Sequence, residues 1–460
     1  MEIKHSSPSV ARPVEHHAGK KRWPWVLLIV LGVILVVGGI ITALYFYGGK
    51  LISKKDNQAT QTNQATQTNQ PAQTPAGGFS VKPEPDADEL HQVVVGRYDS
   101  EDLVGPVTLS TVDATDSGTL TETKVLTHEA KVPDARTTVT TSPNGQFVAI
   151  TESEVPTTGG EDEAAAQADL KHTVSLVELS SGKETTVADG LKGLAADPLW
   201  TPDSQHLIFF ETDPAVEQVQ SFNVYDVESG LTASTKSATA EGPTDLFIPV
   251  KATENDLFVI DTTAGSEDPG KLGTFSLSDK AEIGTDFDKI IDMPAQFRGL
   301  DVSSDGGQII MARGSGEELS VSTGPYLLEL LDRDTGEIEE LRKSSSDEQY
   351  GSPLFTRDGD SIIYGAASGI WMLEVKSGDR TQLIESSEFN DVSGADGDVV
   401  QPEFISPNGE LVVLSVPMDK GLTRDFFTLG TDADQAALDD LGVVEPADSS
   451  ASVGAFGWTI

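Results

Sequence analysis

The turns TTSPNGQ (140–146), LWTPDSQ (199–205), VSSDGGQ (302–308), LFTRDGD (354–360) and FISPNGE (404–410) decide the fold. Each follows a short apolar stretch and precedes a strongly apolar one, beginning at Phe147, Leu207, Ile309, Ile362 and Leu411. Asn, Asp and Gly tolerate the left-handed backbone that tight hairpins require. A degenerate copy, KATENDLFVI, starts at Lys251. The turn residues Asn144, Asp203, Asn255, Asp305, Asp358 and Asn408 are spaced by 59, 52, 50, 53 and 50 residues.

Each unit continues with a third strand, as at 174–179, 222–227, 326–331 and 370–375. A second polar turn follows (SSGK, ESG, RDTGE, KSGDR), then a fourth strand. Four antiparallel strands repeated about every 50 residues predict the blades of a β-propeller. One more spacing beyond Asn408 falls just past Ile460, and Trp458-Thr459-Ile460 aligns with Trp200-Thr201-Pro202. The chain therefore ends on an innermost strand. Residues 92–126 hold three strand-like runs that complete the same blade. The prediction is an all-β, seven-bladed propeller over 91–460, with a composite closing blade that leaves no free inner edge.

The S-P-N-G and T-P-D-S turns, each before an apolar strand, resemble the repeats of TolB-type and other WD-repeat-like bacterial propellers. The resemblance covers about 91–460 as a periodic pattern. It implies a fold whose members serve as protein-binding modules, envelope-complex components or the propeller halves of peptidases.

Ahead of the repeats the composition changes. Residues 1–55 hold eight of the 31 Lys and Arg and only two of the 74 Asp and Glu, so the body carries more than the whole net charge of -43. Such a body repels nucleic acid and anionic lipid. From Val26 to Tyr47 run 22 residues without a charge, flanked by Trp23 and Trp25 at one end and ending in Tyr45 and Tyr47. That length crosses a bilayer and exceeds the apolar core of a cleaved leader. Lys20, Lys21 and Arg22 abut its start, which predicts a cytoplasmic tail at 1–25, a transmembrane helix at 26–47 and an extracytoplasmic body. NQATQT at 57–62 and 63–68, then NQPAQT at 69–74, make a polar linker of 48–90 with nothing to bury. Without cysteine, disulfides and thiolate chemistry are excluded.

No nucleophile elbow, zinc-protease motif or sialidase-type Asp-box occurs, and no hydrolase domain follows the repeats. His91, His128, His172 and His206 occupy non-equivalent blade positions. Asp332-Arg333-Asp334-Thr335-Gly336 has the start of a calcium loop but lacks its distal Glu, and reads as a turn. Trp200, Trp371 and Trp458 fall on strands and read as core. The expected function is a membrane-anchored binding or scaffold module of the cell envelope, not an enzyme and without cofactor or metal. The alternative is a hydrolase-like enzyme using channel carboxylates. The candidate binding face consists of acidic loops expected opposite the short hairpins: Glu161, Asp162 and Glu163 in 152–171; Glu282, Asp286 and Asp288 in 281–296; Asp391, Asp396 and Asp398 in 386–398. Their partner would be a protein or another basic or cationic species, and not nucleic acid.

Overall fold

A computed structural model describes residues 78–82 and, with interruptions in loops, 92–459. Seven four-stranded antiparallel sheets are arranged as blades. Blade 1 joins Ser452–Thr459 to Gln92–Tyr98, Val107–Asp113 and Glu122–His128. Blade 2 is Arg136–Thr141, Phe147–Ser153, Lys171–Glu178 and Lys183–Lys192. Blade 3 is Leu199–Trp200, His206–Asp213, Val219–Asp226 and Leu231–Lys236. Blade 4 is Asp245–Ala252, Asp256–Thr263, Lys271–Ser276 and Asp288–Asp292. Blade 5 is Phe297–Val302, Gln308–Gly314, Tyr326–Asp332 and Ile338–Lys343. Blade 6 is Leu354–Phe355, Ser361–Ala366, Gly369–Glu374 and Arg380–Glu385; blade 7 is Gln401–Ile405, Leu411–Pro417, Arg424–Gly430 and Leu438–Asp440.

The recurring turn works through one side-chain circuit. In blade 2 the Ser142 hydroxyl donates to Asn144 Oδ1 at 2.7 Å and accepts from Phe147 N at 3.0 Å. Asn144 Oδ1 also accepts from Gln146 N at 3.1 Å. The same circuit joins Thr201 to Asp203, Ser303 to Asp305, Thr356 to Asp358 and Ser406 to Asn408 at 2.6–2.7 Å. Thus a hydroxyl two residues before the Asx satisfies backbone that the ladder leaves open. In blade 4 Thr253 N bonds Asp256 O directly at 2.8 Å, across a loop two residues shorter. That deletion is why its copy reads as degenerate.

Seven apolar clusters fill the seven interfaces between neighbouring blades. Val93 and Val95 of one strand pack toward blade 7, while Val94 packs toward blade 2. Both faces of the sheet are buried, so these strands read as continuous apolar runs rather than alternations. Ring closure is direct: Val93 pairs with Trp458 and Val94 with Gly457. The Thr459 hydroxyl then donates to Gly145 O of blade 2 at 2.5 Å. Trp200 and Trp458 are buried, whereas Trp371 is half-buried beneath the Arg380 guanidinium at 4.2 Å.

Two features depart from the sequence reading. Residues 78–82, inside the range read as linker, pack against the propeller. In blade 4 the third-to-fourth connection spans 277–287, so Glu282 and Asp286 stand on the face of the short hairpins, not opposite it. Asp288 opens the strand at that same end, paired with Thr274. The expected tail, the apolar run 26–47 and the repeats at 57–74 lie outside the described residues; among those described, no helix is long and apolar enough to cross a membrane.

Candidate binding surfaces

The strand order gives the propeller two unlike faces. First-to-second and third-to-fourth turns form a hairpin face; second-to-third and fourth-to-first connections form the opposite face. On the hairpin face, between blades 2 and 3, Phe79 is 5% exposed. Its ring meets Phe147 edge-on at 5.7 Å, and Lys183 Nζ lies 4.2 Å from its centroid. Phe79 N donates to Val227 O at 2.8 Å, and Lys82 N to Gln146 Oε1 at 3.0 Å. A Cβ on Gly78 would sit 1.8 Å from Glu228 O, so the approach requires glycine. This strap carries no repeat signature, and nothing periodic in the sequence marks it.

Between blades 1 and 2 lies a compact ionic cluster. His128, fully buried, contacts Glu152 Oε1 through Nε2 at 2.5 Å and Glu184 Oε2 through Nδ1 at 3.1 Å. Glu152 Oε2 accepts the backbone N–H groups of Lys131 and Val132 at 2.7 and 2.9 Å. Lys131 Nζ donates to Glu184, Ser175 and Thr186 at 2.7–2.9 Å. Burial pushes the imidazole pKa down, but hydrogen bonds and charge from both glutamates outweigh it and lift the value to about 9. His128 donates a hydrogen bond to Glu184; this and Lys131 together overcome burial and hold that carboxyl near 2. Two cations and two anions thus lock strand four of blade 1 onto blade 2. Glu152, read from sequence as part of an acidic loop run, is 1% exposed and belongs to this lock.

At the opposite face, the ends of blades 1, 2 and 3 bring Tyr98, Arg136 and Asp197 into electrostatic contact. Gly105 N donates to Ala135 O at 3.1 Å, and Thr137 Oγ1 to Gly105 O at 3.2 Å, which holds Gly105 against blade 2. Burial raises the Asp197 pKa against a Thr138 hydrogen bond and the Arg136 charge. Arg136 Nε is buried without a hydrogen-bond partner among the described residues. On the inner strands, Asp301 accepts from Lys251 Nζ at 2.6 Å and from Phe355 N at 2.9 Å, tying blades 4, 5 and 6. Glu403 of blade 7 accepts from Ser415 Oγ. These inner carboxylates come from different blades, each held by its own partner.

The chain matches no family model and no curated protein. Solved structures with a similar fold include TolB from Acinetobacter baumannii, at 14% identity over 76% of this chain and 77% of that one, TM-score 0.36. The β-propeller domain of the Trilobed protease from Pyrococcus furiosus is 13% identical over 77% of this chain and 99% of its own, TM-score 0.43. An oligogalacturonate lyase from Vibrio parahaemolyticus is 16% identical over 61% and 77%, TM-score 0.43. At these identities the likeness concerns the fold alone.

The predicted acidic face divides. Glu282, Asp286 and Asp288 stand on the hairpin face with the strap. Glu161, Asp162 and Glu163, with Asp391, Asp396 and Asp398, lie outside the described residues. The strands that flank them end at the opposite face. Asp332 closes its turn by accepting Thr335 N and Oγ1, both at 2.9 Å, while Arg333 reaches Asp256 at 2.6 Å. Among the described residues no group of three His, Asp or Glu is arranged to hold a metal ion.

Proposed function

We propose that this chain is a tethered propeller of the cell envelope that binds a partner through the face opposite its hairpins, rather than an enzyme. The carrying observation is the strap. Gly78 and Phe79 join the propeller on the hairpin face, so the chain before them leaves from that side. That chain includes the uncharged run 26–47, of a length that spans a bilayer. With 26–47 in the membrane and residues 1–25 in the cytoplasm, the hairpin face turns toward the bilayer and the opposite face outward. Apart from Glu152, which is buried in the lock, the outward stretches 152–171 and 386–398 hold nine acids and one base, Lys171. A basic protein surface is the complementary partner, with association that slows as salt screens the attraction.

Cysteine-free chemistry makes the test clean, because one introduced thiol labels one site. A photo-crosslinker at a cysteine replacing Thr158 should capture a basic protein in membranes, less so as salt rises. The same crosslinker at Ser229 of the hairpin face should capture none. Equal capture from both faces, or capture indifferent to salt, contradicts the proposal.

A further inference from the structure

A propeller exposes one outer edge per blade, and such edges are normally guarded against pairing by charges or bulges. Five of the seven outer strands here break register with a bulge: those of blades 1, 2, 4, 5 and 6. The outer strand of blade 7 is three residues long and ends in Asp439-Asp440. Blade 3 is the exception. Leu231–Lys236 pairs with its neighbour over six residues without a break. Its sequence is LTASTK, so five consecutive residues carry no charge. Residues 231–234 are exposed in succession, on both faces of the strand, and Leu231 is 54% exposed.

We propose that this edge is a self-association surface, on which the same strand of a second copy adds antiparallel to make a continuous eight-stranded sheet. Two-fold antiparallel pairing presents identical patches to each other and satisfies the open backbone groups of both. It places no like charges opposite one another along 231–235. The one charged residue of the strand, Lys236, stands at one end, and Glu228 lies beyond the other, so pairing brings opposite charges toward each end. The acidity of the body opposes the approach of two copies over longer range. Screening relieves that opposition, so added salt strengthens this contact, whereas it weakens capture of a basic partner. Six residues of pairing bury far less than the roughly 1,200 Å² of a stable interface, so the dimer is weak, on the order of tens of micromolar or above.

The test is sedimentation equilibrium of the detergent-solubilised full chain, up to about 0.5 mM protein and between about 50 and 500 mM salt. The expected result is a dimer fraction that rises with salt and falls at least tenfold in association constant with Ala233→Lys. Thr381→Lys, on the bulged outer strand of blade 6, should leave it unchanged. Unaltered thermal midpoints identify both variants as folded. Hydrogen exchange should show the amides of 231–235 protected in proportion to dimer. A monomer at every concentration and salt overturns the proposal, as does a dimer indifferent to Ala233→Lys. So does an edge protected in the monomer, which would mean the chain covers it with its own residues. None of these outcomes depends on whether a basic partner binds the opposite face.

Discussion

Two buried histidines show how partners, rather than burial, set charge in this protein. His128 lies between two glutamates and holds a proton up to about pH 9. His172 is equally buried, with Nε2 donating to Phe210 O at 3.3 Å and, among the described residues, no hydrogen-bond partner at Nδ1, and burial pushes its pKa down to about 4. Their linkages to stability have opposite signs. His128 titrates above the ordinary imidazole value of 6.5, so its contribution is complete below pH 6.5 and is lost as pH rises toward 9. His172 titrates below 6.5, so stability falls as pH drops from 6.5 toward 4. Denaturant unfolding across pH should show a maximum near neutrality and an alkaline loss on the order of 2 kcal/mol. His128→Gln should be less stable at pH 6.5 and should flatten the alkaline limb. An alkaline limb unchanged by that substitution would contradict the ionic lock. Neither histidine's role was legible in the sequence. Their partners lie 24 to 56 residues away, on strands whose register only the folded sheets define.

At the scale of elements, the turns were legible because their chemistry is local. A Ser or Thr, an Asx two residues later and a left-handed residue after it close each circuit within about six residues. The left-handed residue is Gly145, Gly306, Gly359 or Gly409 in four of them, and Ser204 with φ 60° in blade 3. Blade 4 was misread because its third-to-fourth connection 277–287 lacks the short glycine turn that closes this hairpin at Gly182, Gly230, Gly336 and Gly378 in blades 2, 3, 5 and 6, and crosses instead through a Leu277–Ile283 bridge. The strap was missed because one Phe in a polar stretch has no period. Its weight is nonetheless testable. Phe79→Ala removes a buried aromatic ring, a change that costs about 3–5 kcal/mol in a rigid core and less where the segment can detach. Gly78→Ala places a Cβ against Glu228 O and should release the segment without changing any side chain of the blades. Both variants should expose residues 78–82 to protease while the blades still unfold cooperatively. Resistance equal to the parent chain in Gly78→Ala would show that the strap does not depend on that close approach.

The whole molecule is a ring whose last strand is also its latch. Each blade interface has its own apolar cluster, so no central core compensates for a broken one. Residues 452–459 form the inner strand of blade 1, and Ala455 and Trp458 complete the cluster against blade 7. Thr459 reaches Gly145 of blade 2, so one short strand ties three blades. The sequence disclosed this closure because the period ran out one step past Ile460 and the missing strands appeared at 92–126. It could not disclose what the faces bind, because charge runs mark loops without fixing their arrangement. The most direct measurement is thermal unfolding of the chain lacking residues 455–460 beside the intact chain. A closed ring predicts a midpoint lowered by many degrees, with hydrogen exchange accelerated in blades 1 and 7 together. An unchanged midpoint, or loss confined to blade 1, would contradict closure by the C-terminal strand.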